Sequence, residues 1–195
     1  MNRIALTGGI GSGKSVVCRV FSLLGIAIYD SDSRAKRLMA ESEDVRKRLC
    51  AEFGDDIYVD GILNRAALAA RVFCDKAALS RLNAIVHPAV LHDFDCWAEE
   101  RAAQGDRYVI MESAILFENN LDKGFDYTVA VDSPLEIRLE RSMRRDRATR
   151  EQILARMANQ LPQEEVNSRA DYVIYKDGDK MVWEQVLALD KVFEA

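Results

Sequence analysis

Residues 4–15 read IALTGGIGSGKS, and this stretch decides the fold that we expect. Its first four residues form a short, largely apolar run and predict a buried strand. Residues 13–24 then carry apolar side chains at helical spacing, with Gly25 just past the predicted helix end. Between strand and helix, residues 8–15 match G-x-x-x-x-G-K-[ST], the pattern of a phosphate-binding loop (P-loop). Phosphate binding requires this order, because the loop N–H groups and the helix N-terminus then face the same anion.

The P-loop pattern predicts a site for a nucleoside triphosphate. Its glycines let the backbone curl around the phosphates, the Lys14 ammonium reaches the β- and γ-phosphates, and the Ser15 hydroxyl binds Mg²⁺. The guanine-recognition pattern N-K-x-D is absent, and a chain of 195 residues is short for a large ATPase, so we expect a small-molecule kinase. The predicted nucleotide-binding residues are Gly8, Gly9, Ile10, Gly11, Ser12, Gly13, Lys14, Ser15 and Val16.

Short apolar runs alternate with helical patterns along most of the chain. The runs at 27–29, 108–111, 127–131 and 172–175 are rich in β-formers, as expected for strands that are covered on both faces. Strands that alternate with helices predict an α/β fold, with a parallel, doubly wound P-loop sheet of about five strands. The predicted nucleotide-binding core comprises residues 1–30, 104–140 and 164–195.

Two segments interrupt this alternation. Residues 31–103 show only helix patterns, including one that Leu63 and Leu68 mark and one that Pro88 opens, and we predict a helical insertion there. Residues 141–163 are polar and arginine-rich, and we predict a small helical lid. A solvated helix face with ion pairs has a similar composition, but the P-loop favours the lid because a lid closes over the triphosphate.

Two carboxylates, Asp30 and Asp32, follow the second predicted strand. Reactive groups cluster at the carboxyl ends of the strands in an open parallel sheet, and a kinase that acts on an alcohol uses a carboxylate to accept the hydroxyl proton. In an extended segment both side chains would point the same way, one toward a substrate and one toward a helix start at Ser33. Capping of that helix explains one aspartate equally well, so the spacing leaves catalysis and capping open.

Composition and charge exclude several classes of protein. The net charge of −5 argues against broad electrostatic capture of nucleic acid. No apolar run approaches the roughly 18 residues of a membrane-spanning helix, and the first residues lack the pattern of a secretion signal, so we expect a cytoplasmic protein without membrane contact. No pattern indicates an oligomeric state. The four cysteines are Cys18, Cys50, Cys74 and Cys96. They are too widely spaced for a C-x-x-C metal-binding motif, and we expect their thiols to be reduced.

The P-loop and several later motifs together resemble the dephospho-CoA kinase family. These motifs are DSD at 30–32, DGILNR at 60–65, LNAIVHP at 82–88, ILFE at 115–118 and the pair Arg145-Asp146. The resemblance covers essentially the whole chain and implies a nucleotide-kinase-like fold in which residues 31–103 bind CoA. It also implies transfer of the ATP γ-phosphate, with Mg²⁺, to the ribose 3′-hydroxyl of dephospho-CoA, which is the last step of coenzyme A biosynthesis.

The same resemblance implies roles for individual residues. The expected base is Asp32, which accepts the proton of the ribose hydroxyl. The expected catalytic residues are Asp32, Lys14, Arg141 and Arg145, with the two arginines in the lid. The expected substrate-binding residues are Asp32, Arg65 and His87, and the expected metal ligands are Ser15 and Glu112.

Three residues depart from the pattern of the family. Glu112 stands where the family usually has aspartate, Arg138 where it often has glutamine, and Lys176 where it often has asparagine. Glu112 keeps a carboxylate at the end of a predicted strand. The resemblance also implies that the residue at position 176 contacts adenine. Because this residue is a lysine here, the sequence leaves that contact open.

Two other functions fit the P-loop. One is a kinase for another small alcohol, such as a nucleoside monophosphate or a sugar acid. The other is a nucleotide-dependent switch without catalysis. Turnover measured with a panel of acceptors separates these functions from phosphorylation of dephospho-CoA.

Overall fold

The structure is a computed structural model that describes residues 1–72 and 75–194. The chain forms two compact units, of which the first comprises Met1–Tyr29 and Ala98–Ala195 and the second Asp30–Trp97. The second unit takes up most of the predicted insertion. The predicted lid lies within the first unit.

The helices and strands follow one another in an order typical of an α/β protein with an insertion. In chain order they are β1 (Asn2–Thr7), α1 (Lys14–Leu23), β2 (Ala27–Asp30), α2 (Ser31–Glu41), α3 (Glu43–Phe53), β3 (Tyr58–Val59), β4 (Ile62–Leu63), α4 (Arg65–Val72), α5 (Lys76–Ala103), β5 (Tyr108–Glu112), β6 (Tyr127–Asp132), α6 (Leu135–Asp146), α7 (Arg150–Met157), α8 (Gln163–Arg169), β7 (Tyr172–Tyr175) and α9 (Val182–Phe193). Short 3₁₀ turns lie at Asp55–Ile57 and Leu121–Gly124.

Five strands form one sheet in the order β2-β5-β1-β6-β7. β1 pairs in parallel with β5 and β6, and β6 pairs in parallel with β7. β1 is buried on both faces, because Ile4 and Leu6 share a core with residues of α1 and α9 whereas Ala5 packs with Phe117 and Val166. The predicted fold class is therefore confirmed, and each predicted strand is present with its ends shifted by no more than two residues.

The second unit contains a small hairpin that the sequence analysis does not predict. Its strands β3 and β4 pair antiparallel, and Asp60 and Gly61 form the turn with φ angles of 51° and 81°. The assignment of Leu63 to a helix is wrong, since Leu63 lies in β4 and α4 begins at Arg65. Strands of two residues are too short to show a period in the sequence.

Helix α5 runs through Pro88 without a break, so the prediction that Pro88 opens a helix is wrong. Proline has no N–H group, and the carbonyl of Ala84 therefore loses its hydrogen bond within the helix. The Arg48 guanidinium lies 3.5 Å from that carbonyl oxygen and supplies a donor in its place. This contact offsets part of the cost of a proline in the middle of a helix.

Two further sequence expectations concern cysteines and membranes. Cys18, Cys50 and Cys96 carry free thiols, and Cys74 lies outside the described residues. Among residues 1–72 and 75–194, no helix has both the length and the apolar character that a membrane crossing requires.

Candidate active site

The P-loop connects β1 to α1, and other parts of the chain approach its backbone closely at Gly11 and Gly13. Gly11 has a φ of 78°, and a Cβ atom there would lie 2.3 Å from the carbonyl oxygen of Arg138 and 2.6 Å from Ser142 Oγ. Gly13 has a φ of 96°, and a Cβ atom there would lie 2.8 Å from Lys176 Nζ. Both positions need glycine for the left-handed backbone conformation. Gly11 also needs it for space, because the backbone of Arg138 cannot move away as the Lys176 side chain can.

Three side chains from the C-terminal part of the chain anchor the start of the P-loop. The Gly9 N–H donates to Gln163 Oε1 at 3.1 Å, and the Ile10 N–H donates to Gln160 Oε1 at 2.8 Å. Arg138 Nε donates to the Ile10 carbonyl oxygen at 3.0 Å. These hydrogen bonds fix the loop before any ligand binds. None of the three anchors was named as a site residue in the sequence analysis.

The later N–H groups of the P-loop are available to an anion. Within the described part of the chain, those of Gly11, Gly13 and Ser15 have no hydrogen-bond acceptor, and the buried Ser12 Oγ has no partner. The first turn of α1 carries no acidic residue, so no carboxylate there offsets the positive end of the helix dipole. This arrangement suits a phosphate group.

Lys14 and Ser15 are the first two residues of α1. Lys14 is half-buried, and its Nζ donates to the carbonyl oxygen of Gly8 at 2.8 Å. The ammonium therefore lies against the same loop as the N–H groups of Gly11, Gly13 and Ser15. Ser15 is exposed.

Glu112 ends β5 beside the strand that leads into the P-loop. It is half-buried and pairs with Leu6 in the sheet register, and the Ser113 N–H donates to the Leu6 carbonyl oxygen at 2.9 Å. Among the described residues, no group of three or more His, Cys, Asp or Glu side chains could hold a metal ion. The Ser15 hydroxyl and the Glu112 carboxylate are hard oxygen donors that suit Mg²⁺, an ion that takes its other ligands from phosphates and water.

Arg138 is the buried arginine of α6. Its side chain is only 8% exposed, and burial lowers the pKa of its guanidinium while the nearby Asp132 opposes that effect. The guanidinium is still charged at neutral pH. Because its Nε binds the Ile10 carbonyl, Arg138 supports the P-loop backbone from behind.

The two predicted lid arginines have different surroundings. Arg141 is half-buried, and its Nη1 donates to Ser133 Oγ at 3.1 Å. Arg145 is exposed and donates two hydrogen bonds, of 2.7 and 3.1 Å, to Asp146. Arg156 also donates to Asp146, and these two arginines hold the pKa of that carboxyl well below its usual range. Arg145 is thus engaged in a surface ion pair.

Ser133 links Arg141 to the P-loop and to the end of β7. Its Oγ lies 2.9 Å from the Ser12 carbonyl oxygen and 3.0 Å from the Lys176 carbonyl oxygen. The single hydroxyl proton can be donated to one of these two oxygens at a time, while Oγ accepts a hydrogen bond from Arg141. The Lys176 N–H donates to the Asp132 carbonyl oxygen at 2.8 Å. Sequence reasoning did not select Ser133, although its place directly after β6 is where functional residues gather in such sheets.

In the second unit, Asp30 caps α2 and Asp32 lies in the first turn. Asp30 accepts hydrogen bonds from the Ser33 N–H at 3.1 Å and from the Ser33 hydroxyl at 2.6 Å. Asp32 is exposed, and its carboxylate has no hydrogen-bond partner among the described residues. The predicted extended segment and the helix start at Ser33 are wrong, because capping by Asp30 starts the helix at Ser31. Capping explains Asp30, whereas Asp32 makes no hydrogen bond among the described residues and can only interact with the dipole of α2.

Arg65 and His87 also belong to the second unit. Arg65 is exposed and begins α4, and the preceding Asn64 caps that helix by accepting from the Ala67 N–H at 3.1 Å. His87 is half-buried within α5, and burial lowers the pKa of its imidazole, so the neutral ring prevails at pH 7. Binding of a substrate by these two residues stays a prediction.

Replacing Gly11 with alanine is expected to destabilise the protein through two separate effects. The left-handed backbone costs about 1–2 kcal/mol for a residue with a Cβ atom, and overpacking against Arg138 and Ser142 adds about 1–3 kcal/mol. Gly25→Ala is the matched control, because Gly25 has a φ of 85° but no atom within 4 Å of an added Cβ. The free energies of unfolding of both variants can be measured in urea. Equal losses would contradict the close packing behind the P-loop.

Comparison with known proteins identifies relatives along nearly the whole chain. Residues 2–181 match the family model described as dephospho-CoA kinase. The chain is 40% identical over 187 residues to the dephospho-CoA kinase of Bacteroides fragilis, covering 96% of this chain and 90% of that protein. It is 43% identical over 176 residues to the dephospho-CoA kinase of Deinococcus radiodurans, covering 90% of this chain and 84% of that protein. The crystal structure of TT1252 from Thermus thermophilus has a similar fold, with a TM-score of 0.83 and 36% identity over 98% of this chain and 96% of that one.

Proposed function

This chain belongs to the dephospho-CoA kinase family, and we propose how its own residues carry out the reaction of that family. The protein is a phosphotransferase that uses ATP to phosphorylate the ribose 3′-hydroxyl of dephospho-CoA. The product is CoA, and the reaction is the last step of coenzyme A biosynthesis. The assignment of dephospho-CoA as the acceptor rests on the family match over residues 2–181, because P-loops occur in enzymes that catalyse many different reactions.

On the donor side, we propose that the P-loop holds the triphosphate of ATP. The N–H groups of Gly11, Gly13 and Ser15 would donate to phosphate oxygens, and the Lys14 ammonium would neutralise charge on the transferring phosphoryl group. The anchors on Gly9 and Ile10 support this proposal, because donors that are already in place need no rearrangement during the reaction.

On the acceptor side, we propose that Asp32 accepts the proton of the 3′-hydroxyl as that oxygen attacks the γ-phosphate. The capping of α2 by Asp30 supports this assignment, since it leaves the Asp32 carboxylate available. We also propose that the second unit binds dephospho-CoA, with Arg65 and His87 among its contacts. Residues 141–163 would close over the triphosphate as a lid.

We propose that Ser15 and Glu112 hold Mg²⁺ together with the nucleotide. The ion, when bound, supplies charge that neutralises the phosphate oxygens. The Ser15 hydroxyl and the Glu112 carboxylate would hold the ion beside the P-loop. The predicted cytoplasmic location stays a prediction.

The acceptor is tested by a coupled assay of ADP release with ATP and dephospho-CoA, with mass detection of one added phosphate. CoA, whose 3′-position already carries phosphate, and the 3′-deoxy analogue of dephospho-CoA should not support ADP release. Faster turnover of a nucleoside monophosphate or a sugar acid would favour another small-molecule kinase. ATP binding without turnover of any acceptor would indicate a nucleotide-dependent switch.

Arg141→Met and Arg145→Met are expected to lower kcat far more than they weaken dephospho-CoA binding. A cation that stabilises charge in the transition state contributes about 10²–10³-fold to turnover. Steady-state kinetics with each substrate varied in turn would measure kcat and both KM values. Arg19→Met is the matched control, because Arg19 is an exposed arginine of α1 outside the proposed lid. An unchanged kcat with a raised KM for dephospho-CoA would instead place Arg141 and Arg145 in the acceptor site.

A further inference from the structure

We propose that Lys176 is a phosphate-binding residue that acts with Arg141 on the phosphate chain of the nucleotide. The inference rests on the proposed kinase function and adds a second lysine, beside Lys14, to the donor site. The ligand class is a nucleoside di- or triphosphate.

The backbone of Lys176 is fixed beside the P-loop. Its N–H donates to the carbonyl oxygen of Asp132 at 2.8 Å, and its carbonyl oxygen lies 3.0 Å from Ser133 Oγ. The side chain passes directly over Gly13, because a Cβ atom on Gly13 would lie 2.8 Å from Lys176 Nζ and 2.9 Å from its Cδ. The ammonium therefore lies at the residue that precedes α1, where the helix dipole also favours an anion.

The charge of Lys176 is not balanced by a neighbouring carboxylate. Neither Lys176 nor Arg141 forms an ion pair within the described residues, although both are half-buried. Two exposed arginines of the same unit, Arg145 and Arg156, do have a carboxylate partner, since both pair with Asp146. Burial lowers the pKa of Lys176, and the positive charge of Arg141 lowers it further. Lys176 and Arg141 are therefore neighbouring cations without a counterion, and a bound anion would reduce the repulsion between them.

The P-loop supplies the rest of such an anion site. The Gly13 N–H has no acceptor in the described part of the chain, and Ser133 connects Arg141 to the Ser12 carbonyl. A phosphate chain on the loop would therefore meet backbone N–H groups, the Lys176 ammonium and the Arg141 guanidinium. Bare adenosine carries no negative charge and would gain nothing from Lys176.

The test is nucleotide binding by Lys176→Met, which keeps the aliphatic chain over Gly13 and removes the charge. Isothermal titration with ATP and with ADP, without acceptor, should show dissociation constants raised about 10–100-fold. Lys176→Arg should restore most of the affinity. Lys180→Met, which removes the same charge from an exposed lysine of the same loop, should bind both nucleotides normally. Because no acceptor is present, these results do not depend on whether dephospho-CoA is the substrate.

Two outcomes would overturn the proposal. Wild-type affinity of Lys176→Met for ATP and ADP would show that the ammonium does not meet the phosphates. Equal weakening of adenosine, ADP and ATP would place the side chain at the nucleoside instead. Thermal unfolding without nucleotide should show a midpoint no lower than that of the wild type, since one of two repelling charges is removed. If Lys176→Met fails to fold, Lys176→Asn removes the same charge and replaces it in the titrations.

Discussion

Replacing Lys14 with alanine is expected to lower kcat by about 10²–10³-fold or more. Negative charge spreads over the oxygens of the phosphoryl group during transfer, and the ammonium is positioned to neutralise it. The fold should persist, because Gln160, Gln163 and Arg138 anchor the loop independently of Lys14. The measurement is ADP release at saturating ATP and dephospho-CoA, with thermal unfolding as the check on folding.

Two comparisons make the Lys14 result specific. Lys123→Ala removes the same charge from an exposed position of the first unit and should keep normal turnover. Lys14→Met keeps the aliphatic part of the side chain and should be as slow as Lys14→Ala. Turnover above about a tenth of the wild-type rate in Lys14→Ala would show that the P-loop is not the catalytic phosphate site.

Asp32→Asn is expected to lower turnover by about 10²–10⁴-fold while ATP binding stays nearly intact. Asparagine has the shape of aspartate but cannot accept the proton of the attacking ribose hydroxyl. Asp32 is exposed in the first turn of α2 and caps nothing, so the substitution should lower the free energy of unfolding only by the interaction of its charge with the helix dipole, about 0.3–1 kcal/mol. The rate is measured with both substrates saturating, and ATP affinity by titration.

Asp30→Asn is the matched control for Asp32→Asn. Asparagine is as good an N-cap as aspartate, so α2 should keep its start and turnover should stay near that of the wild type. Similar rates for Asp32→Asn and the wild type would show that the base lies elsewhere or that none is needed. A large loss in Asp30→Asn alone would exchange the roles of the two aspartates.

The sheet could be predicted from the sequence because each of its strands is a continuous apolar run with local boundaries. The 60–61 hairpin could not, although Asp-Gly is a frequent hairpin turn, because its strands of two residues show no alternation. Pro88 was placed at a helix start because proline is frequent there. Only the structure shows that Arg48, forty residues earlier, offers a donor to the carbonyl that proline leaves free.

The residues of the candidate site also fall into those that the sequence predicts and those that only the structure shows. The P-loop could be predicted because its residues are consecutive, so one pattern contains the whole loop. Its anchors could not, because Gln163 lies 154 residues from Gly9 and Gln160 lies 150 residues from Ile10. Asp30 and Asp32 share a motif of three residues, and only the hydrogen bonds of Asp30 to Ser33 distinguish their roles.

The anchoring of the P-loop has a consequence for the synthesis of the chain on the ribosome. Residues 8–15 are made first, but the side chains that hold the loop come from Arg138, Gln160 and Gln163. A nascent chain that ends before Arg138 therefore carries the complete nucleotide motif without the shape that binds nucleotide. The loop can be set only after residue 163 has left the exit tunnel, so ATP can stabilise the protein only once most of the chain has been translated.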